Sequence, residues 1–462
     1  MDSTPSRLGD VSFWYADMGG LPAPRPPLRG DATVDVCIVG AGYTGLWTAH
    51  YLKKADPDLN ILIVEKHFAG YGASGRNGGW LTGGFAWNHA RYAETSTPEQ
   101  VRALVSALNG SVDEVIREAE AQGIDADILR TDELMVATTP AQLARARAEV
   151  ANRHRWGEDR VHMIGAEELA TRVSIPDAMG AMVVKGVARI QPAKLVRGLA
   201  AAVERAGVTI AEGTEVTCIG AGLVETTRGT IRARTILRCT EGFTATLPGL
   251  KREWLPLNSA QIATEPLPEE VWRKIGWQGH EILGDFANAY CYCQRTREGR
   301  ITVGARGTPY RFGSAIDRDG LPDAATIDRL TAILRRHFPA AASARIDHAW
   351  CGVLGVPRDW CATVGFDPAT GIGWAGGYVG VGVSTSNLAG RTLADLALGG
   401  ETHLTRLPWV NRSVRRWEPE PLRWLGVTGM YALLNAADRR EEARRGPPSR
   451  LARLGNRLAG RG

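Results

Sequence analysis

Two short apolar runs near the start of the chain predict buried strands. Residues 34–39 are mostly apolar, and residues 61–64 are entirely so. Between them, a cluster of glycines leads into a stretch of residues that suit a helix, from Tyr43 to Ala49. A short apolar run that ends at a glycine turn is typical of a buried strand. The pattern therefore predicts a strand, a tight turn, a helix and a second strand.

The turn has the spacing of a phosphate-binding loop. Gly40, Gly42 and Gly45 form the pattern G-x-G-x-x-G, and Glu65 ends the second apolar run twenty residues after Gly45. The first glycine permits the turn, the second lets a pyrophosphate approach the backbone, and the third lets helix and strand pack closely. A helix N-terminus stabilises phosphate charge, and a carboxylate at the second strand can bind a ribose. This order favours a dinucleotide site; a structural glycine turn is the alternative.

Further along the chain, helical and strand patterns alternate. Pro98 follows Thr97 where a helix begins, which is a favourable N-cap and first position. Glu298 and Gly299 form a turn between two strand-like runs, which predicts an antiparallel sheet. The predicted helices cover residues 97–116, 141–154, 192–205 and 384–398, and the predicted strands cover 133–138, 208–210, 215–219, 230–239, 261–265, 289–294 and 300–307.

A second glycine-rich loop lies directly before the helix predicted over residues 384–398. Gly376, Gly377, Gly380 and Gly382 belong to it. A helix that begins at such a loop points its backbone N–H groups toward a ligand and stabilises negative charge there. Two glycine-rich helix starts in one chain favour a nucleotide site over a purely structural loop.

Composition is that of an ordinary globular protein. The 462 residues are 44% hydrophobic, which is enough for a large core and two or three domains. Residues 1–30 lack the pattern of a signal peptide, and no apolar run approaches the roughly 18 residues of a membrane span, so we expect a cytoplasmic location. The seven cysteines form no CxxC pair, which fits a reducing compartment and predicts no metal site. Cys291 and Cys293 are interpreted as core thiols on one face of a strand.

Positive charge is concentrated at the C-terminus. The net charge is +5, and residues 401–462 contain thirteen arginines against six acidic residues. The first 400 residues therefore carry about −2, which argues against a polyanion-binding body, and no nucleic-acid partner is expected. Apolar residues from Trp424 to Leu434 follow helical spacing, so the tail is predicted to pack as a helix with its arginines in solvent. A docking surface is the alternative.

Residues 70–79 indicate which dinucleotide to expect. Five glycines among these ten residues allow the backbone to wrap closely around a ligand. The string Ala-Ser-Gly-Arg-Asn-Gly-Gly at residues 73–79 resembles the D-amino-acid oxidase-like family of FAD-dependent oxidoreductases, which includes glycine oxidase, sarcosine oxidase and gamma-glutamylputrescine oxidase. It is similar above all to the last of these branches.

The resemblance implies a fold class and a division of the chain. The expected fold is α/β, with a Rossmann-type FAD-binding domain of the GR2-like kind and an interleaved α+β substrate domain that contains an antiparallel sheet. Trp14 and Tyr15 are expected to anchor an extended N-terminal arm. The expected boundaries are 1–30 for the arm, 31–90, 190–249 and 351–400 for the FAD-binding domain, 91–189 and 250–350 for the substrate domain, and 401–462 for the Arg-rich helical tail.

The resemblance also implies FAD as the cofactor. It places the pyrophosphate near Ser74, the flavin ring near Arg76 and the adenine near Val216. The expected FAD-binding residues are Gly40, Gly42, Tyr43, Thr44, Gly45, Glu65, Lys66, Ser74, Arg76, Asn77, Gly78, Gly79, Val216, Thr240, Gly242, Cys351, Gly377, Gly380, Gly382 and Val383.

The implied activity is oxidation of the C–N bond of a small amine or amino acid. A hydride passes from the substrate carbon to flavin N5, water hydrolyses the imine, and O2 is the expected acceptor. The protein mainly positions the substrate, so an aromatic cage is expected rather than an acid/base pair. The candidates are Trp80, Tyr292, Arg306, Trp350 and Tyr378, and a purely structural role is the alternative for each.

Cys351 carries a further expectation. In enzymes similar to monomeric sarcosine oxidase, a cysteine ahead of the last FAD strands bonds to the 8α-methyl group of the flavin, and Cys351 occupies that position. Attack on the flavin requires the thiolate, so a cation such as Arg76 would have to lower the pKa of the thiol. A small, inert buried thiol is the alternative.

Two other functional classes remain open at this stage. One is a flavoprotein dehydrogenase that passes electrons to a quinone or a protein partner through the Arg-rich tail. The other is an RNA-modifying flavoenzyme. The sequence leaves the particular amine and the oligomeric state open.

Overall fold

The structure of the chain is a computed structural model that describes residues 7–84, 89–305, 310–316 and 319–459. The described strands are β1 (Arg7–Leu8), β2 (Ala32–Val39), β3 (Ile61–Val64), β4 (Trp80–Leu81), β5 (Leu129–Ala137), β6 (Val161–Gly165), β7 (Gly180–Arg189), β8 (Thr209–Ala211), β9 (Val216–Gly220), β10 (Leu223–Thr226), β11 (Gly229–Arg238), β12 (Leu255–Thr264), β13 (Ile282–Asp285), β14 (Tyr292–Arg295), β15 (Ile301–Ala305), β16 (Ile346–Val356), β17 (Thr363–Asp367) and β18 (Ile372–Gly376).

The described helices are α1 (Phe13–Asp17), α2 (Tyr43–Ala55), α3 (His89–Ala93), α4 (Pro98–Ala121), α5 (Pro140–Arg155), α6 (Ala166–Ala170), α7 (Pro192–Arg205), α8 (Glu269–Ile275), α9 (Ala324–His337), α10 (Gly382–Ala397), α11 (Leu422–Arg444) and α12 (Arg450–Ala459). The N-cap predicted for α4 is confirmed, because the Thr97 side chain and the Gln100 side chain each accept the other residue's backbone N–H.

One sheet has the parallel core expected of a Rossmann-type fold. Its strand order is β17-β18-β11-β2-β3-β8, and β9 and β10 extend it through β11. The pairs from β18 to β8 are parallel, whereas β17 is antiparallel to β18. Helices α2, α7 and α10 bury apolar side chains in the largest core cluster, which also receives Ile38, Ile63 and Leu237 from this sheet. The predicted α/β class is confirmed.

The other sheet is mixed and mostly antiparallel. Its order is β1-β16-β12-β15-β14-β13-β5-β7-β4, and β6 pairs with β7. Strand β16 crosses the domain boundary predicted at residue 351, because it pairs with β12 along its whole length, from Val356 opposite Leu255 to Ile346 opposite Thr264. The division of the chain into two domains stays a prediction.

The N-terminal segment is less extended than predicted. Strand β1 pairs with β16, and α1 buries Phe13, Trp14 and Tyr15 to 2% exposure or less. The predicted anchoring by Trp14 and Tyr15 is confirmed. Three consecutive aromatic residues favour a buried helical turn over an extended arm, because such a turn removes a large apolar area from water.

The strand predicted over residues 289–294 begins only at Tyr292. The backbone N–H of Ala289 donates to the carboxylate of Asp438, and that of Cys291 donates to the carboxylate of Asp285. Because side chains satisfy these donors, residues 286–291 form a loop between β13 and β14.

The C-terminal tail contains α11 and α12. Helix α11 places Val427, Met430, Tyr431 and Leu434 in the largest core cluster, as its helical spacing predicted. Among the described helices, none combines the length and the apolar character that a membrane crossing requires.

Candidate active site

A first cavity, of about 290 Å³, lies where β2, β3 and β11 end and where α2 and α10 begin. The N-termini of both helices therefore face one space, an arrangement that stabilises negative charge. The structure brings the following sequence-predicted residues to its lining: Gly40, Gly42, Tyr43, Thr44, Glu65, Lys66, Ser74, Asn77, Val216, Thr240, Gly242, Gly380, Gly382 and Val383. Of the predicted cofactor residues, Gly45, Arg76, Gly78, Gly79, Gly377 and Cys351 do not line this cavity.

The first glycine loop is shaped by close backbone contacts. Gly40 has φ +106°, and a Cβ atom there would lie 2.7 Å from the carbonyl oxygen of Cys239. A Cβ atom on Gly45 would lie 2.1 Å from the carbonyl oxygen of Gly40. Gly45 therefore allows helix and strand to pack closely, as its position predicted, and its place behind the loop explains why it does not line the cavity.

Glu65 supports this loop from the end of β3. One carboxylate oxygen accepts the backbone N–H of Ala41 at 3.0 Å, and the other accepts that of His67 at 3.0 Å. Burial raises the pKa of Glu65, while the backbone hydrogen bonds oppose that rise. Each oxygen keeps capacity for another donor, so the residue can still receive a hydrogen bond from a ribose.

The two sequence motifs at the start of α2 meet through Ser74. Its hydroxyl accepts the backbone N–H of Tyr43 at 2.8 Å, and a Cβ atom on Gly42 would lie 3.0 Å from that hydroxyl. Thr44, one residue further along α2, shares a hydrogen bond of 2.9 Å with the hydroxyl of Tyr378. The glycine-rich segments from both ends of the chain thus close around one cavity.

Glu241 also lines the first cavity, although only its neighbours Thr240 and Gly242 were predicted as cofactor residues. Its carboxylate accepts the backbone N–H groups of Gly377 and Tyr378, both at 3.0 Å, and that of Gly355. Burial raises its pKa to about 7, although these bonds act in the opposite direction. The signal that could have revealed it is an acid at the end of an apolar strand, the same pattern that identified Glu65.

Arg76 and Gly377 are held in the scaffold. The Arg76 guanidinium donates to the carbonyl oxygens of Tyr71 at 2.7 Å and Cys351 at 3.2 Å, and it lies 4.4 Å from the centre of the Tyr71 ring. Gly377 uses its N–H on Glu241 and has φ +77°. Both residues position the loops around the cavity.

A second and larger cavity, of about 740 Å³, adjoins the first. The two share Ala73, Asn77, Leu354, Gly380 and Val383 in their linings. Arg76, Gly78 and Gly352 also line the second cavity, which continues between β5, α5 and the loop after β13. The shared residues mark where a group held in the first cavity would meet a molecule in the second.

Two of the predicted cage residues lie together in this second cavity. The rings of Trp80 and Tyr292 meet edge to face, with centres 6.2 Å apart. The Trp80 indole donates to the carbonyl oxygen of Cys293 at 3.1 Å, and the Tyr292 hydroxyl lies 3.0 Å from that of Ser259. Both rings are therefore fixed by polar contacts at the cavity wall. Arg306 lies outside the described residues.

The other two predicted cage residues lie elsewhere. Trp350 is 0% exposed, packs with Phe13 and Trp14, and donates its indole N–H to the carbonyl oxygen of Arg76 at 2.9 Å. It lines neither cavity, so the structure does not bring it together with Trp80 and Tyr292. Tyr378 lines the first cavity only, so it belongs with the cofactor residues.

The position of Cys351 does not fit a flavin thioether. Trp350 and Gly352, its neighbours on β16, face Arg76, whereas the Cys351 side chain belongs to the core cluster on the other face of the sheet. Its sulfur lies 3.6 Å from the carbonyl oxygen of Leu321, and it lines neither cavity. Successive side chains of a strand point to opposite faces, so the thiol is directed away from the cofactor site.

Charged side chains that the sequence analysis did not select line the second cavity. Glu133 accepts a hydrogen bond of 2.8 Å from the hydroxyl of Thr82, and burial raises its pKa. Arg153 pairs with Glu149 at 2.7 Å, and Arg145 also lines the wall. An acid at the start of an apolar strand was the available signal for Glu133. These groups give the cavity both signs of charge.

His337 joins Asp285 and Cys291 behind the second cavity, at a place where the sequence suggested no ligand cluster. Its Nε2 lies 3.6 Å from an Asp285 oxygen and 3.9 Å from the Cys291 sulfur, and its Nδ1 lies 3.0 Å from the carbonyl oxygen of Ile333. Burial alone would lower the pKa of His337, but the neighbouring Cys291 and the Asp285 carboxylate together raise it above its usual value. Asp285 itself lines the second cavity, so the three side chains lie together against its wall.

The parallel sheet and the two glycine-rich helix starts around one cavity define a dinucleotide-binding protein. The family model described as "FAD dependent oxidoreductase" (DAO) matches residues 35–396. This chain therefore belongs to the DAO family of FAD-dependent oxidoreductases.

Known relatives include enzymes that act on amines. The chain is 28% identical over 401 residues to the gamma-glutamylputrescine oxidoreductase of Escherichia coli (strain K12), covering 84% of this chain and 89% of the relative. It is 26% identical over 416 residues to the sarcosine oxidase subunit beta of an Arthrobacter species, covering 83% and 91%. The crystal structure of glycine oxidase from Geobacillus kaustophilus matches with a TM-score of 0.68 and 23% identity, covering 80% of this chain and 96% of that one.

The residues present fit FAD. Gly40 and Gly42 let the backbone approach a pyrophosphate, α2 and α10 direct their N-termini into one cavity, and Glu65 can accept a ribose hydroxyl.

Proposed function

We propose that this chain uses FAD to oxidise the C–N bond of a small amine or amino acid. The observation that supports this proposal most directly is the junction of the two cavities. Asn77, Gly380 and Val383 line both of them, so a flavin ring at that point would face a substrate in the larger cavity. When bound, FAD would accept a hydride from the carbon beside the substrate nitrogen, and water would hydrolyse the resulting imine.

The chain's own residues would orient the substrate and favour its neutral form. Loss of a hydride requires the lone pair on nitrogen, so the amine must bind or react without its proton. Trp80 and Tyr292 line the larger cavity, and apolar ring surface there disfavours the ammonium ion. Glu133, whose pKa is raised by burial, also lines this cavity and offers an oxygen that can accept a hydrogen bond from the amine.

We further propose O2 as the electron acceptor and the cytoplasm as the location. The second proposal is supported by the cysteines, since all seven are thiols in the structure, as expected in a reducing compartment. The alternative acceptor, a quinone or a protein, is distinguished from O2 by the experiment below.

The test begins with the flavin content of the purified protein. Amines, polyamines and N-methyl amino acids are mixed anaerobically with the yellow protein, and absorbance near 450 nm is followed as the flavin bleaches. Bleaching by an amine, followed by reoxidation in air with stoichiometric H2O2, is the expected result. Bleaching without reoxidation in air, but with turnover on a dye acceptor, would identify a dehydrogenase. If no flavin copurifies and none binds, the proposal fails.

A further inference from the structure

The loop between β13 and β14 is held by a carboxylate from the C-terminal tail. Asp438 of α11 accepts the backbone N–H and the side-chain amide of Asn288 at 2.8 and 2.7 Å with one oxygen. Its other oxygen accepts the backbone N–H of Ala289 at 2.9 Å. Asn288 and Asp438 are 150 positions apart in the chain, so their contact forms only when the C-terminal tail is folded against this loop. Hydrogen bonds to a charged group are the stronger kind.

A second carboxylate, one turn further along α11, is joined to the same loop through Arg145. Glu441 is 4% exposed, and it accepts a hydrogen bond of 2.8 Å from the Arg145 guanidinium of α5. Arg145 in turn donates to the carbonyl oxygen of Phe286 at 2.8 Å. The second oxygen of Glu441 accepts the backbone N–H of Ser449, just before α12. Glu441 thus connects α5, the loop and the start of α12.

The groups that α11 holds line the substrate cavity, although the described lining contains no residue of α11 itself. Arg145, Phe286, Ala287 and Tyr290 contribute to that lining, and Tyr292 follows directly after the loop. The apolar face of α11 is buried in the largest core cluster, so the helix can hold Asp438 and Glu441 in fixed positions. Two acidic residues of the tail, Asp438 and Glu441, are therefore joined to the wall of the cavity.

We propose that Asp438 and Glu441 are positioning residues that fix the wall of the substrate cavity and so determine which substrates bind. This inference rests on the proposed function. The loop contributes two aromatic residues and leads into Tyr292, so its position sets the room available beside the junction of the cavities. Substrates that extend toward the loop should depend most on the two carboxylates. The cofactor residues belong to other elements and should not depend on them.

The experiment uses the full-length protein with FAD bound. Asp438→Ala removes the acceptor of three hydrogen bonds, and Asp438→Asn keeps the shape of the side chain while removing its charge. Glu442→Gln is the matched control, because Glu442 is the next helix residue after Glu441 but pairs with the half-exposed Arg336 at 2.6 Å. Each variant is measured for FAD content, for steady-state kinetics with a short and a long substrate, and for hydrogen exchange of a peptide that covers residues 286–292.

The expected result for both Asp438 variants is a rise in KM of about tenfold for the long substrate, with kcat within about twofold and FAD content unchanged. Exchange of the loop amides should accelerate about tenfold or more, while the Glu442→Gln protein behaves as the wild type. The inference is overturned if Asp438→Asn, in a folded protein, leaves either the KM for the long substrate or the loop exchange unchanged. If no amine reduces the wild-type flavin, the proposed function fails, and unchanged loop exchange in the Asp438 variants separately overturns the positioning role.

Discussion

The carboxylate of Glu241 accepts the backbone N–H of Tyr378 at 3.0 Å and thereby ties the end of β11 to the glycine-rich loop before α10. Gly377 donates to the same oxygen, and Gly355 donates to the other. Three chain segments that surround the cofactor cavity are thus fixed by one buried side chain. Its role resembles that of Glu65 at the end of β3, which accepts a backbone N–H of the first glycine loop.

Replacing Glu241 with Ala should destabilise the protein and weaken its hold on FAD. The substitution leaves three buried backbone donors without their acceptor, and such groups each cost about 1 to 3 kcal/mol. We expect the free energy of unfolding, measured in urea, to fall by about 3 kcal/mol or more. FAD should dissociate at lower urea than in the wild type. The control is Glu225→Ala, an exposed position on β10, which should change the free energy of unfolding by less than about 0.5 kcal/mol. Equal effects of the two substitutions would contradict this role for Glu241.

Glu241 should also make stability depend on pH. Burial raises its pKa in the folded protein from 4.5 to about 7, so the folded state binds the proton more tightly than the unfolded chain. The resulting stability is fully present below about pH 4.5 and is lost as the pH rises through about 7. Relative to Glu241→Gln, which cannot titrate, the wild type should lose about 3 kcal/mol between these limits. Urea unfolding at a series of pH values measures the difference, and parallel curves for the two proteins would contradict it.

Local sequence signals predicted well the strands and helices that form the cofactor cavity. The apolar runs of β2 and β3, the glycine spacing and the residues of α2 lie close together in the chain, so the order of residues alone specifies the motif. The same holds for α10, whose start follows the second glycine-rich loop. These elements could be placed because each depends on neighbours in sequence.

The residues around the second cavity could be predicted only in part. Their orientation and the ends of their strands depend on contacts with residues that are distant in the chain. Trp350 and Cys351 were both expected at the flavin site, although successive residues of one strand point to opposite faces. The pairing of β16 with β12 and the burial of α1 decide which face meets the cavity. The start of β14 depends on Asp438, which lies 149 residues away. A single sequence contains no local signal for either relationship.

The third glycine of the first loop should tolerate no side chain. A Cβ atom on Gly45 would lie 2.1 Å from the carbonyl oxygen of Gly40, and this backbone atom cannot move without displacing the loop. We expect Gly45→Ala to lower the free energy of unfolding by about 3 kcal/mol and to abolish copurification of FAD. Gly110→Ala is the matched control, since Gly110 lies within α4 and a Cβ atom there meets nothing within 4 Å. That variant should be stabilised by about 0.5 to 1 kcal/mol. A Gly45→Ala protein as stable and as yellow as the control would refute the close packing.

The hydroxyl of Tyr292 should contribute to the reductive step. It lies 3.0 Å from the Ser259 hydroxyl at the wall of the substrate cavity, and the ring is edge to face with Trp80. Tyr292→Phe keeps the ring and should slow anaerobic flavin reduction about two- to tenfold, the range of one hydrogen bond. If the two hydroxyls act as a unit, Ser259→Ala and the double variant should show the same loss. Stopped-flow absorbance measures these rates, and a Tyr292→Phe rate equal to that of the wild type would exclude a role for the hydroxyl.

The flavin should be released intact when the protein is denatured. Cys351 faces the core on the far side of β16, with its sulfur 3.6 Å from the carbonyl oxygen of Leu321, so a thioether to the flavin would require the strand to turn over. Acid precipitation of the wild type should leave all yellow, fluorescent flavin in the supernatant. Cys351→Ala should bind the same amount of FAD, and its stability should fall only by the small amount expected for removing one buried sulfur, about 1 kcal/mol. The opposite pattern, with flavin bound to the denatured wild-type chain and lost in Cys351→Ala, would show that the thiol reaches the cofactor after all.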